Sequence, residues 1–208
     1  PRGIAYISYN TEPGFASRRI VRDFLQMHVD ATDPDQKVEQ VRQMLRWLRS
    51  STSEDTNEGR MVRGTCERMM AAPPSYLLHG LLAEHNHPLY LRDFLAEAAE
   101  AELGYLGDAD FGSMLAENLH PNAQKGLESA PGGFIEHEQI QDFLCGRAFR
   151  RSLLVHHDVT PERSIPWERA SKLWISGRPR LLAGRIEDSD EARFDADGVV
   201  FTTDDPVL

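Results

Sequence analysis

Gly3-Ile4-Ala5-Tyr6-Ile7-Ser8-Tyr9, followed by Asn10-Thr11-Glu12-Pro13-Gly14, opens a chain of 208 residues. Isoleucine and tyrosine suit a pleated strand, and the Asn-to-Gly run after them breaks it. What comes next reads as helical to about residue 146. A lone strand heading a helical chain leaves its backbone groups unpaired unless strand partners exist elsewhere. The stretch therefore predicts an orphan strand, one that pairs with the tail near residues 180–202 or with another copy of the molecule.

Working outward, apolar residues recur at helical spacing. Ile20, Phe24 and Met27, with Val21 and Leu25, mark a first helix. Asp33-Pro34 predicts the start of a second, with aspartate as N-cap and proline at the first helical position. Val38, Val41, Leu45 and Leu48 form its stripe, widened by Met44 and Trp47. Residues 50–58 read as a polar loop, and a third helix over about 59–71 ends before Pro73-Pro74. Ser75 is positioned to cap a fourth, reaching Asn86. Leu91 to Leu103 predicts a fifth, with Gly104 as left-handed C-terminal cap. Shorter helices follow near 109–117 and 121–128. The span from Phe134 to Gly146 predicts a helix with Ile135, Ile140, Phe143 and Leu144 inward.

After Gly146 the pattern changes. Phe149 to His156 fits strand or helix. Trp167 to Lys172 predicts a short helix. Leu173-Trp174-Ile175, Arg180 to Ile186, Ala192 to Phe194 and Val199 to Thr202 predict short strands, with a hairpin turn at Asp195-Ala196-Asp197-Gly198. The fold class is mainly α: a helical bundle-like domain with a small β-containing C-terminal part and an orphan N-terminal strand.

The net charge of −10 is unevenly placed. Residues 1–68 carry 11 bases and 10 acids, and residues 146–208 carry 10 and 11. Residues 69–145 hold 12 acids against Arg92 and Lys125 alone. Such a segment repels a phosphate backbone, which argues against nucleic acid as partner and leaves a basic protein segment open. A solvated acidic helical face is the plainer reading. No apolar run approaches the ~20 residues of a membrane-spanning helix. The start at Pro1-Arg2, without methionine or signal-peptide pattern, reads as a chain entered midway. Cys66 and Cys145 form no metal or redox motif and read as buried thiols of a reducing, cytoplasmic compartment.

Few residues carry chemistry. Gly132-Gly133 precedes a helix but follows no strand, so it lacks the context of a nucleotide-binding turn. His79, His85 and His87 cluster in sequence, but a helical metal pair needs a four-residue spacing that they lack. His137 lies too far from Cys145 to activate it, and Cys145 reads as core.

The pieces in order are more specific. Ser8-Tyr9-Asn10 with Pro13-Gly14-Phe15, then Arg22-Asp23, Ser75-Tyr76 with His79, and Pro88-Leu89-Tyr90 with Phe94 are quoted as they stand. Leu103-Gly104-Tyr105-Leu106, Phe143-Leu144 with Arg147, Phe149-Arg150 and Leu153-Leu154 continue the series. Over about residues 3–157 it resembles the methyltransferase regulatory domain family, a helical domain that follows the catalytic domain in some bacterial S-adenosylmethionine-dependent methyltransferases. The tail from 160 is less closely similar. The resemblance implies a division into residues 1–12, the last strand and linker of an upstream catalytic domain; 13–158, the helical regulatory domain; and 159–208, a small β-containing region. It implies S-adenosylmethionine in the upstream domain and none in this chain, with no catalytic residue to carry over. The implied partners are a catalytic domain in cis and a basic protein substrate, with no nucleic acid and no membrane. Tyr76, His79, Tyr90 and Arg147 are the implied interaction residues. The resulting expectation is a regulatory or substrate-recognition module, non-catalytic alone. The alternatives are a metal-dependent enzyme using His79, His85 and His87, and a protein-interaction scaffold.

Overall fold

The computed structural model describes residues 3–163 and the segments 167–170, 180–183, 192–196 and 199–203. The chain divides into two units, Pro1–Pro161 and Glu162–Leu208. Mainly helical structure with a small antiparallel sheet makes up the first.

The opening strand, β1 (Ile4–Asn10), is an edge strand, and its partner differs from the sequence expectation. It pairs antiparallel with β3 (Phe149–His156), from Ile4 opposite Val155 to Asn10 opposite Phe149. The tail strands form a separate sheet. Residues 149–156 fit helix and strand equally from composition. The long-range ladder decides for strand, because it satisfies backbone groups on both segments. On the other side of β3 lies β2 (Leu103–Asp108), with an irregularity between Tyr105 and Gly107.

Among the described residues, five α-helices stand between β1 and β2 in chain order, and two more between β2 and β3. Gly14 joins β1 to α1 (Phe15–His28), and its N–H donates to Arg147 O at 2.9 Å. No side chain fits at position 14, since a Cβ would run into Gly146 O and the Arg147 carbonyl carbon. Helix α2 (Pro34–Ser51) starts as expected: Asp33 accepts from the N–H of Asp35 and of Gln36, a cap that contributes about 1 kcal/mol. Helix α3 (Asn57–Met70) is capped by Thr56, which accepts from Gly59 N at 3.1 Å. The linking loop is thus shorter than residues 50–58.

Helix α4 is a single turn, Pro74–Tyr76, running into a π-helical turn, Leu77–Leu81. Pro73, not Ser75, is its N-cap, and the helix does not reach Asn86. Helix α5 (Leu91–Glu100) also stops early. Glu102 takes the left-handed conformation, φ 57°, that was expected at Gly104, and Gly104 lies within β2. Two 3-10 turns, Phe111–Met114 and Ala116–Asn118, replace the helix expected over 109–117. Helix α6 (Pro121–Ser129) and α7 (Phe134–Cys145) follow, the latter ended by left-handed Gly146, φ 60°.

Two apolar cores result. Val21, Leu25, Val38, Val41, Leu45, Cys66, Met69, Leu77 and Leu81 join α1, α2, α3 and the π turn. Leu91, Phe94, Ala98, Tyr105 and Leu154 pack α5 on the sheet. Each fully buried leucine contributes about 1.5–3 kcal/mol. Burial selects one face of the mixed stripe on α1: Val21 and Leu25 are inside, while Ile20 and Met27 are exposed.

The second unit contains α8 (Trp167–Ala170), shorter than the predicted 167–172, and a sheet of β4 (Arg180–Ala183), β5 (Ala192–Ala196) and β6 (Val199–Thr203). β5 pairs antiparallel with both neighbours, and Ala196 stands opposite Val199. The predicted strand at 173–175, residues 184–186 and the turn residues Asp197-Gly198 lie outside the described residues.

Candidate functional site

The C-terminal part of helix α7 departs from the expected orientation, although Ile135 packs against the core as expected. Glu138, Gln141 and Asp142 are buried, whereas Phe143, Leu144 and Cys145 are exposed. The expectation that Phe143 and Leu144 point inward and that Cys145 packs in the core is therefore corrected; Cys66 alone is buried. The physical reason is a cation brought in by β3. Arg150 is 1% exposed and aims its guanidinium at the polar stripe of α7.

The cluster is densely bonded. Arg150 Nε donates to Asp142 Oδ2 at 3.0 Å and Nη2 to Oδ1 at 2.8 Å, a bidentate fork. Nη1 donates to Tyr105 Oη at 3.0 Å, and Nη2 to Glu138 O at 3.1 Å and Glu138 Oε2 at 3.2 Å. Asp108 Oδ2 lies 3.6 Å from Nη1. Arg147 Nε adds an ion pair to Asp142 Oδ1 at 2.7 Å, while its Nη1 and Nη2 donate to Ser113 Oγ and Ser113 O, both at 2.6 Å. At the near end Tyr9 stacks on Phe94, centroids 4.1 Å apart.

Burial raises the pKa of Tyr9 to about 12 and that of Tyr105 further. It also raises Glu138 and Asp142, with Arg150 pulling both the other way. Both carboxyls therefore keep their protons to higher pH than usual, against the pull of Arg150 and Arg147. A carboxyl whose folded pKa is raised favours folding while protonated, and that contribution is lost as pH rises through its folded pKa. Raising pH from about 4, the ordinary carboxylate value, should therefore weaken the wild type relative to Glu138→Gln, which cannot ionise. Urea midpoints of both proteins from acid to neutral pH measure it. A difference that stays constant, or that moves the other way, removes this account.

The four residues singled out from the sequence are not brought together. Tyr76 ends α4 and lines a cavity beside Arg18. His79 is exposed on the π turn. Tyr90 precedes α5 and stacks on Phe143 at 5.8 Å, over a small hollow with Arg92 and Gln139. Arg147 lies between Asp142 and Ser113. Among the described residues no three His, Cys, Asp or Glu side chains converge as metal ligands, and that includes His79, His85 and His87.

At the Gly132-Gly133 pair, the Gly133 N–H donates to Glu136 Oε2 at 2.9 Å. Hydrogen bonds donated by its own backbone N–H and by that of Gly133 hold the Glu136 carboxyl below its usual range.

A three-stranded sheet closed by residues far apart in sequence, with helices packed on it, is the frame that holds these residues. Residues 73–156 match the family described as a predicted methyltransferase regulatory domain. An uncharacterized protein of Rickettsia prowazekii, RP789, is 33% identical over 165 residues, 78% of this chain and 30% of its own length. The uncharacterized protein sll1526 of Synechocystis is 26% identical over 156 residues, 74% of this chain and 31% of its own. The solved structure of PKMT2 from Rickettsia typhi superposes with TM-score 0.79 at 25% identity, over 99% of this chain and 41% of PKMT2. PKMT2 has also been solved in complex with AdoHcy, with the same degree of similarity. The chain thus spans about a third of the curated relatives named here.

Proposed function

We propose that this chain is the regulatory or substrate-recognition module of a cytoplasmic S-adenosylmethionine-dependent methyltransferase. It has no transfer activity of its own and works in cis with a catalytic domain that holds the cofactor. The family match and the likeness to PKMT2, solved with AdoHcy, support the setting. The observation that carries the reading is the outer side of β1. Its edge away from β3 has no strand partner along residues 4–9 among the described residues, and Ile4 and Tyr6 are 64% and 57% exposed. An apolar strand with an open edge is a template for a further strand. A neighbouring catalytic sheet meets that need, with residues 1–12 as its last strand and linker, 13–158 as the helical module and 159–208 as the tail.

A basic protein segment is the proposed substrate. Asp108, Glu138 and Asp142 are buried around Arg150, which leaves nine of the 12 acids of residues 69–145 outside that cluster. Tyr76, His79 and Tyr90 are offered for contact, with Arg147 holding the α7 end in place. Calorimetry on this chain tests the reading. S-adenosylmethionine should show no micromolar binding, because methyl transfer needs a preformed site that fixes both ends of the cofactor. A lysine-rich peptide should bind, more weakly as salt shortens the Debye length below about 10 Å. Micromolar cofactor binding refutes the module reading. Absent or salt-insensitive peptide binding refutes the basic substrate and leaves an interaction scaffold.

A further inference from the structure

A cavity of about 470 Å³ lies among α1, α3, α4 and the start of β3. Its volume is within the range of small-molecule sites. Met69, Ala72, Pro73 and the half-exposed Phe149 ring give it an apolar lining. Two guanidiniums, Arg18 and Arg68, complete the wall, and both bond to hydroxyls where several neighbouring helix arginines hold carboxylates. Arg19, Arg46, Arg49 and Arg63 each hold a carboxylate. Arg18 instead donates from Nη1 to Tyr76 Oη at 3.4 Å, and Arg68 from Nη2 to Thr65 Oγ1 at 3.1 Å. Among the described residues neither has a carboxylate partner.

The polar groups are held in place. Thr65 is 1% exposed and its hydroxyl donates to Met61 O at 2.9 Å, so its oxygen faces Arg68 as an acceptor. Tyr76 is set by the π turn: its ring occupies the space over Gly80, where a Cβ would lie 2.8 Å from Cδ2 and Cε2. Single π turns are frequent at functional sites. Two cations without an anion, beside an apolar floor, ask for a ligand with one negative head and an apolar body. Guanidiniums match carboxylate oxygens in geometry and desolvate readily, which suits them to such a head.

We propose that this cavity binds a small amphipathic organic anion, a carboxylate on an aromatic or aliphatic body, with Arg18 and Arg68 on the carboxylate and Met69 and Phe149 against the body. The site shares Tyr76 with the proposed peptide contact, but its test reads anion binding directly, so its failure is distinguishable from failure of the peptide or cofactor titrations. The test uses the complete chain and 4-phenylbutyrate as probe, followed by calorimetry, with the neutral 4-phenylbutyramide and acetate as controls. The acid should bind saturably, with the amide and acetate each weaker by at least about tenfold, the scale of one charge-assisted bond or of the apolar body. Arg18→Gln and Arg68→Gln should each weaken the acid by a similar factor without lowering the melting temperature. The amide comparison is made on the wild type, so it stands even if a variant fails to fold. An amide that binds as well as the acid, arginine variants that bind normally, or no saturation in the millimolar range overturns the proposal. So does binding confined to a peptide bearing glutamate beside an aromatic residue, which would make the cavity a protein-docking site.

Discussion

Replacing Arg150 by methionine should destabilise the first unit by about 3–5 kcal/mol, the usual consequence of leaving a buried charge without its partner. Against a typical total of about 5–15 kcal/mol, that is enough to unfold a marginal domain. Arg150 is the cation shared by Asp142, Glu138 and Asp108, all of them nearly inaccessible. Methionine fills the volume but neutralises none of them. Urea denaturation at neutral pH should show the midpoint fall, and the deficit should shrink in acid, where the carboxyls take up protons. Adding Glu138→Gln and Asp142→Asn to the variant should restore most of the loss. A loss below about 1 kcal/mol for the single variant would mean that the cluster is hydrated and weak.

Gly14→Ala should also be damaging, for a steric reason. Gly14 has φ −67° and ψ −25°, so any residue could adopt its backbone conformation. What excludes a side chain is the backbone of Gly146 and Arg147 lying where the Cβ would go. Backbone cannot swing aside as a long side chain does, so the two segments must separate. That separation breaks the bonds from Gly14 N to Arg147 O and from Thr11 N to Ala148 O. Overpacking of this kind costs about 1–3 kcal/mol, occasionally more. It also displaces Arg147 from Asp142, so hydrogen exchange should rise at the α7 terminus as well as at α1. Unchanged stability would show that the junction yields freely.

Much of the helical layer was legible. Asp33 announced α2 by its capping chemistry, and the Val38–Val41–Leu45 stripe marked its inner face. These are local signals, carried by residues three to five positions apart. β1 was equally plain as a strand, but its partner was not. Nothing local links Ile4 to Val155, and the tail offered strand-like segments of the same length.

Helix α7 misled for a different reason. Hydrophobic patterning assumes that water lies on the polar side, and Phe143, Leu144 and Cys145 then look like core. The missed signal was the spacing of Glu138, Gln141 and Asp142, one helical face of hydrogen-bonding groups, together with Arg150 and Ser152 on the inward register of β3. A polar face is recognisable as internal only once its counter-charge is known, and that charge comes from another element. The cavity at Arg18 and Arg68 was hidden likewise, since no sequence spacing relates α1 to α3 and Phe149.

The ladder between β1 and β3 also fixes how the first unit responds to tension. Seven registered pairs run from Ile4 with Val155 to Asn10 with Phe149, and Tyr9 meets Ser152 across 143 sequence positions. The chain enters at Ile4 and leaves just beyond Val155, at the same end of the ladder. A pull on those two exits loads the pairs in unzipping rather than in shear, one after another instead of all together. The helices sit inside the loop that the ladder closes, so they carry none of that load until the pairing at Asn10 has opened.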